Sequence, residues 1–202
     1  MRVTTYAETV RQLRPVIIPL FEALEDGLSA ATRDHAAKLI RRPDDPHYFG
    51  HTVRRMAIES LRGLGLQAER DSGRPALAMS GIMLFFRGMA VRVLRPDVNR
   101  HGRVEIPIPG LSRPRQRFWR QDTEAIPGVG TTDNLLLLWT DDAGILVEPL
   151  TLVRPLGGDH RRRNLRVDWI GHLDRGMASL REEDLDELRP YVDYRQLGVE
   201  GA

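Results

Sequence analysis

The sequence predicts an α+β fold, with N-terminal helices packed on a mostly antiparallel sheet and a short helix near the C-terminal end. Three observations predict it. Apolar residues recur at helical spacing through about Leu61. After Pro75 the pattern changes to short runs rich in β-formers, such as IMLFF and NLLLLW, set between Gly and Pro turns. Helical spacing returns only after Ser179. The 202 residues suit one compact unit. Its sub-regions are 1–66 (helical), 75–173 (sheet) and 174–202 (C-terminal helix and tail).

Each element has a local reason. Thr5-Tyr6-Ala7-Glu8 has the form of a capping box, and Tyr6, Val10, Leu13, Ile17, Leu20 and Leu24 follow at helical spacing. Pro15 and Pro19 predict a kink or two short helices, and Asp26-Gly27 a turn. Ser29 then caps a helix to about Arg41. Asp45 as N-cap and Pro46 at the first helical position start another. That helix runs to about Leu61, with an apolar stripe of Phe49, Val53, Met56, Ala57 and Leu61. Arg87-Gly88 turns a hairpin. Val104, Ile106 and Ile108 alternate, but Pro107 and Pro109 confine them to an edge or an extended loop. Two strands flank Asp141 to Gly144, the second weakened by Pro149. The last strand is 164–173. Ser179 to Glu182 reads as a second capping box, with Leu180, Leu185 and Leu188 as the buried side before Pro190.

Composition removes several classes of chemistry. With 0 Cys there are no disulfides, thiolate metal sites or cysteine nucleophiles. The N-terminal stretch has no apolar signal core and no run approaches a membrane span, so the expectation is a cytoplasmic protein with no membrane partner. No G-x-S-x-G, Walker or G-x-G-x-x-G pattern occurs, and no cofactor is expected.

The formal net charge of +2 hides a strong asymmetry. Residues 99–120 hold six arginines against Glu105, and 154–166 hold five against Asp159, whereas 168–202 hold nine acids against four arginines. Lys38 is the only lysine, so the cations are almost all planar guanidinium forks.

The candidate site follows from this asymmetry. Arg113, Arg115, Arg117 and Arg120 surround Phe118 and Trp119, and Arg161, Arg162 and Arg163 form a second basic loop. Arginines contact phosphates and an aromatic ring stacks on a base, which is what DNA or RNA binding uses. Pro109 and Pro114 would hold the approach extended. The expected function is a non-enzymatic nucleic-acid-binding or regulatory protein. In the alternative structural reading, Phe118 and Trp119 are core anchors and the arginines pair with the acidic tail. A second functional reading is a protein-interaction module docking through the Arg/Trp loop or the acidic C-terminal helix. A third is a metal-dependent hydrolase or nuclease. His47 and His51 share a helix face, but HYFGH lacks the intervening acid of a zinc-protease motif. The helices at 29–41 and 46–61 fit either a helix-turn-helix or an ordinary antiparallel pair.

Overall fold

The first capping box forms as its spacing predicts. Thr5 accepts from the Glu8 amide, and Glu8 accepts from the Thr5 amide at 2.9 Å. In the computed structural model, which describes residues 4–42, 44–70, 81–98, 104–111, 113–122, 133–159 and 164–193, this box opens α1 (Tyr6–Ala37). The predicted break does not occur: one helix of 32 residues runs through Pro15, Pro19 and Gly27. Pro15 is exposed and Pro19 half-buried, so the donors they lack are missing from the side away from the core. An interior proline costs roughly 3 kcal/mol. Burial of Leu13, Ile17, Leu20, Phe21, Leu24 and Leu28 outweighs this, at about 1.5–3 kcal/mol each. Gly27 marks a crossing rather than a turn, because a Cβ there would fall 2.5 Å from the Val53 carbonyl oxygen. Ser29 is an exposed mid-helix position, not a cap.

That crossing partner is α2 (Pro46–Gly63), capped by Asp45, whose carboxylate accepts from the Tyr48 amide at 2.9 Å. Its buried stripe is Phe49, Val53, Ala57, Ile58 and Leu61; Met56, expected inside, is exposed. The two helices are therefore a packed pair on a sheet, and 29–41 is no separate helix.

The strands are β1 (Gln67–Arg70), β2 (Ile82–Phe86), β3 (Met89–Leu94), β4 (Asp97–Val98), β5 (Val104–Glu105), β6 (Asp133–Asp142), β7 (Ile145–Asp159), β8 (Asn164–Leu173) and β9 (Val192–Asp193). Seven of them form one sheet in the order β1-β2-β3-β6-β7-β8-β9, while β4 and β5 pair separately. Arg87 (φ 47°) and Gly88 (φ 74°) turn the predicted hairpin, and Ala143 (φ 48°) and Gly144 (φ 89°) turn the next. β7 passes through Pro149, where its pairing with β6 skips from Val147 to Thr151.

Every pairing in the large sheet is antiparallel except β3 with β6. A parallel pair needs a connection that leaves the sheet and returns across a face. The helices already cover one face. Its core includes Leu84, Val91, Leu137, Trp139, Leu152 and Trp169. The connection after β3 covers the other face, and there Phe118 and Trp119 pack with Met83, Ala90, Leu136, Leu138, Val153 and Ile170. The approach at 106–110 carries no helix or strand, but the stretch then forms a short helix, α3 (Arg113–Trp119), which the sequence does not predict. Pro114 permits the helix because it falls in the first turn, where a missing amide donor leaves no bond unmade.

The chain ends with a 3₁₀ turn (Arg175–Ser179) and α4 (Glu182–Glu187). Arg181, not Ser179, is the N-cap of α4. Among the described residues, the acidic helix pairs with α1 and not with the arginine loops. Arg11 binds Glu182 at 2.9 Å and Asp186 at 2.5 Å, and Arg14 binds Glu182 at 2.6 Å. These carboxylates are exposed, so solvent screens each pair and leaves it a weak tether. Leu185, fully buried against α1, supplies the stronger hold. Among the described residues no helix is long and apolar enough to cross a membrane.

Candidate nucleic-acid interface

The segment that closes the second face separates the rings of the basic-aromatic stretch from its charges. Phe118 and Trp119 are 4% and 3% exposed, so neither is placed to stack on a base. Their rings, 5.5 Å apart, instead lie over the guanidinium of Arg92 at 6.0 and 5.3 Å. Arg92 is itself 3% exposed on β3. The rings thus act as the core anchors of the alternative reading, over an internal cation the sequence did not single out.

A polar clasp fixes the end of α3. Gln121, at φ 59°, donates to the carbonyls of Asn134 (2.6 Å) and Pro155 (2.8 Å) and accepts from the Asn134 amide at 2.9 Å. The Asn134 side chain donates to the Phe118 carbonyl at 3.0 Å, and the Trp119 indole donates to the Pro107 carbonyl at 3.3 Å. Sequence reasoning missed Gln121 and Asn134. A glutamine after an arginine carries no positional signal, although an Asn heading the apolar run NLLLLW is a polar group bound for burial.

The arginines have separate fates. Arg117 pairs with Asp122 at 2.7 Å. Arg115 is half-buried and lies against Gly110, where an added Cβ would sit 3.0 Å from its Nη1. Arg113 and Arg120 are exposed. The stem of Arg120 lies over Gly157 of β7, its Cγ 3.2 Å from where a Cβ would be. Gly157 sits opposite the exposed Arg166 of β8, two residues before β7 ends at Asp159. There the Asp159 amide donates to the Asn164 side chain at 2.8 Å. Arg161, Arg162 and Arg163, expected in the second basic loop, lie outside the described residues. The strand ends that flank them belong to the same end of the sheet as Arg120.

Other candidate chemistry does not converge. His47 and His51 are both exposed, and the described residues hold no group of three or more His, Asp or Glu within metal-binding reach. Several strand carboxylates are already held by arginines. Asp141, with a fully buried side chain, is gripped by Arg42 and lies 3.3 Å from Arg95. Asp168 and Asp133 share the buried Arg154 at 2.7 and 3.0 Å, and Glu148 binds Arg175 at 2.6 Å. Burial lowers the Arg95 pKa, and Asp141 opposes that shift. An open groove of about 580 Å³ lies between the start of α1 and 186–193, with Tyr6, Trp169, Leu188 and Pro190 in its walls. Its arginines are occupied: Arg11 is in the α4 clamp, and Arg189 donates to the carbonyls of Asp186 and Leu188.

No protein-family model, curated protein or solved structure matches the chain.

Proposed function

We propose that the protein is a non-enzymatic nucleic-acid-binding or regulatory protein that grips phosphates with the end of the sheet where α3 meets the β7–β8 hairpin. The observation that carries this reading is the packing of Arg120 on Gly157, opposite Arg166. It joins two basic segments that are far apart in the sequence. Arg113, Arg120 and Arg166 supply exposed charge there, and Arg161 to Arg163 follow directly from the hairpin strands. Among the described residues, Glu182 and Asp186 of the acidic helix pair with α1 and not with Arg113, Arg120 or Arg166.

Fluorescence anisotropy with labelled nucleic acid across a salt series tests this. Four or five phosphate contacts give a log–log slope of about −4, because each contact releases condensed counterions. Arg113→Ala/Arg120→Ala/Arg166→Ala changes exposed side chains and is expected to flatten the slope by roughly 3 while leaving stability within about 0.5 kcal/mol. A folded protein that binds nothing at low salt would refute the reading.

A second reading, a protein-interaction module, has one observation in its favour. Beyond the cover of α3, Ile145, Val147 and Tyr191 are exposed at 74%, 40% and 53%. A partner seated there would depend little on salt, and Ile145→Asp would weaken it.

A further inference from the structure

We infer that the ligand of this basic end is duplex nucleic acid, held by its backbone without base readout; the inference rests on the phosphate grip proposed above.

The first argument concerns aromatic side chains. Proteins that hold single strands without sequence preference stack bases on aromatic faces. The chain has 5 Phe, 3 Trp and 4 Tyr, and segments 99–120 and 154–166 contain only Phe118 and Trp119 among them. Both are buried over Arg92. The most exposed aromatic residue among those described is Tyr191, stacked on His172 at 4.6 Å. His172 lies eight residues along β8 from Asn164 at the basic end. At about 3.3 Å per residue, that is roughly 26 Å away.

The second argument is rigidity. Gln121 and Asn134 tie the end of α3 to β6 and β7, and the rings tie its side to the sheet. A helix pinned this way is not itself free to enter a major groove and read base edges. It can hold arginines at fixed positions against a ligand of fixed geometry. Arg113 and Arg120 are separated by about 10 Å of helix rise. Over that length a duplex carries roughly six phosphate charges, twice the linear density of one strand. Exposed arginines with no exposed aromatic ring beside them among the described residues favour the denser lattice.

The test is competition of a labelled DNA duplex by unlabelled probes on the full chain. These are the same duplex, a second DNA duplex of unrelated sequence, an RNA duplex, single-stranded DNA, single-stranded RNA, and heparin as a non-nucleic polyanion. The expected result is that the two DNA duplexes compete within about twofold, and single strands and heparin at least roughly tenfold more weakly. Arg113→Glu/Arg120→Glu is expected to weaken every probe, and Tyr191→Ala none. Single strands that bind as tightly as duplex overturn the inference, as does heparin that competes equally. A preference above about tenfold between the two duplex sequences overturns it as well, since that is the size of one good base contact. No binding to any probe, with both variants folded, overturns the phosphate grip itself and this inference with it.

Discussion

The two faces of the sheet are buried by different means. Under the helices, large aliphatic and aromatic side chains from α1, α2 and the strands interlock, and α1 tolerates two interior prolines because so much apolar area depends on it. Under α3 the cover is thin. Two rings, an extended segment and a handful of side-chain amide bonds close a smaller core that also contains Arg92 and Asn134. The first face is held by area, which is additive and forgiving. The second is held by geometry, where one lost amide exposes several partners. This difference separates a scaffold from a surface element whose position is set by a small number of specific contacts.

The largest expected effect belongs to the first face. Phe21 is fully buried, with the Arg175 guanidinium 5.0 Å from its ring. Phe21→Ala is expected to destabilise the whole protein by about 3–5 kcal/mol in chemical denaturation. A loss below about 1.5 kcal/mol would mean that this core is no better packed than the thin one.

Alkaline pH probes the same face. Burial pushes the Tyr6 hydroxyl up to about 12, with Asp174 adding to the rise. The folded state therefore keeps a proton that the unfolded state releases from about pH 10 upward. Stability conferred by the neutral hydroxyl is complete below pH 10 and lost as pH rises toward 12, by at most about 3 kcal/mol. Tyr6→Phe removes this titration, so its denaturation midpoint is expected to fall less steeply over that window than the wild-type midpoint. Parallel curves would place the alkaline loss elsewhere.

The second face is tested by Gln121→Ala, which leaves the Asn134 amide and the Pro155 carbonyl without their partner. The expected loss is about 1–3 kcal/mol. Hydrogen exchange makes the comparison sharper. Amides of 104–122 are expected to exchange faster while those of α1 and α2 keep their protection. Equal acceleration throughout would mean that the two faces open as one unit.

Legibility in the sequence follows the same division. Capping at Thr5 and Asp45, the Arg87-Gly88 turn and the strands of 134–173 rest on local spacing and could be read directly. The single α1 could not, because proline and an Asp-Gly pair are local stop signals that long-range burial overrode. Met56 and Ile58 exchanged roles because the angle at which α2 meets the sheet is a tertiary property. At the candidate site the arginines were visible, but the inward turn of Phe118 and Trp119 depends on the parallel β3–β6 pair, which requires a covering connection on that face. Pairing direction is not written in any short window. Nor is the choice of partner for the acidic helix, which went to Arg11 and Arg14 rather than to the larger basic segments.

The smallest expected effect lies at the rim of the first face, where α1 ends beside α2. The Tyr48 hydroxyl donates to Asp34, and Lys38 bonds the same carboxylate at 3.0 Å. Together they hold the Asp34 pKa below the ordinary carboxylate range, with the Tyr48 bond as the larger cause. A lowered carboxylate pKa stabilises the fold at pH values above the unfolded-state pKa, and this contribution disappears as pH falls through the folded value. Tyr48→Phe removes the main cause, so an NMR titration of the Asp34 carboxyl is expected to move toward the ordinary range. The stability difference between wild type and variant is expected to be present at neutral pH and to shrink in acid. If the difference is the same on both sides of the titration, Tyr48 acts through its ring, packed 5.1 Å from His35. The rim would then be held by contact area, like the rest of that face, and not by placed polar bonds like the face under α3.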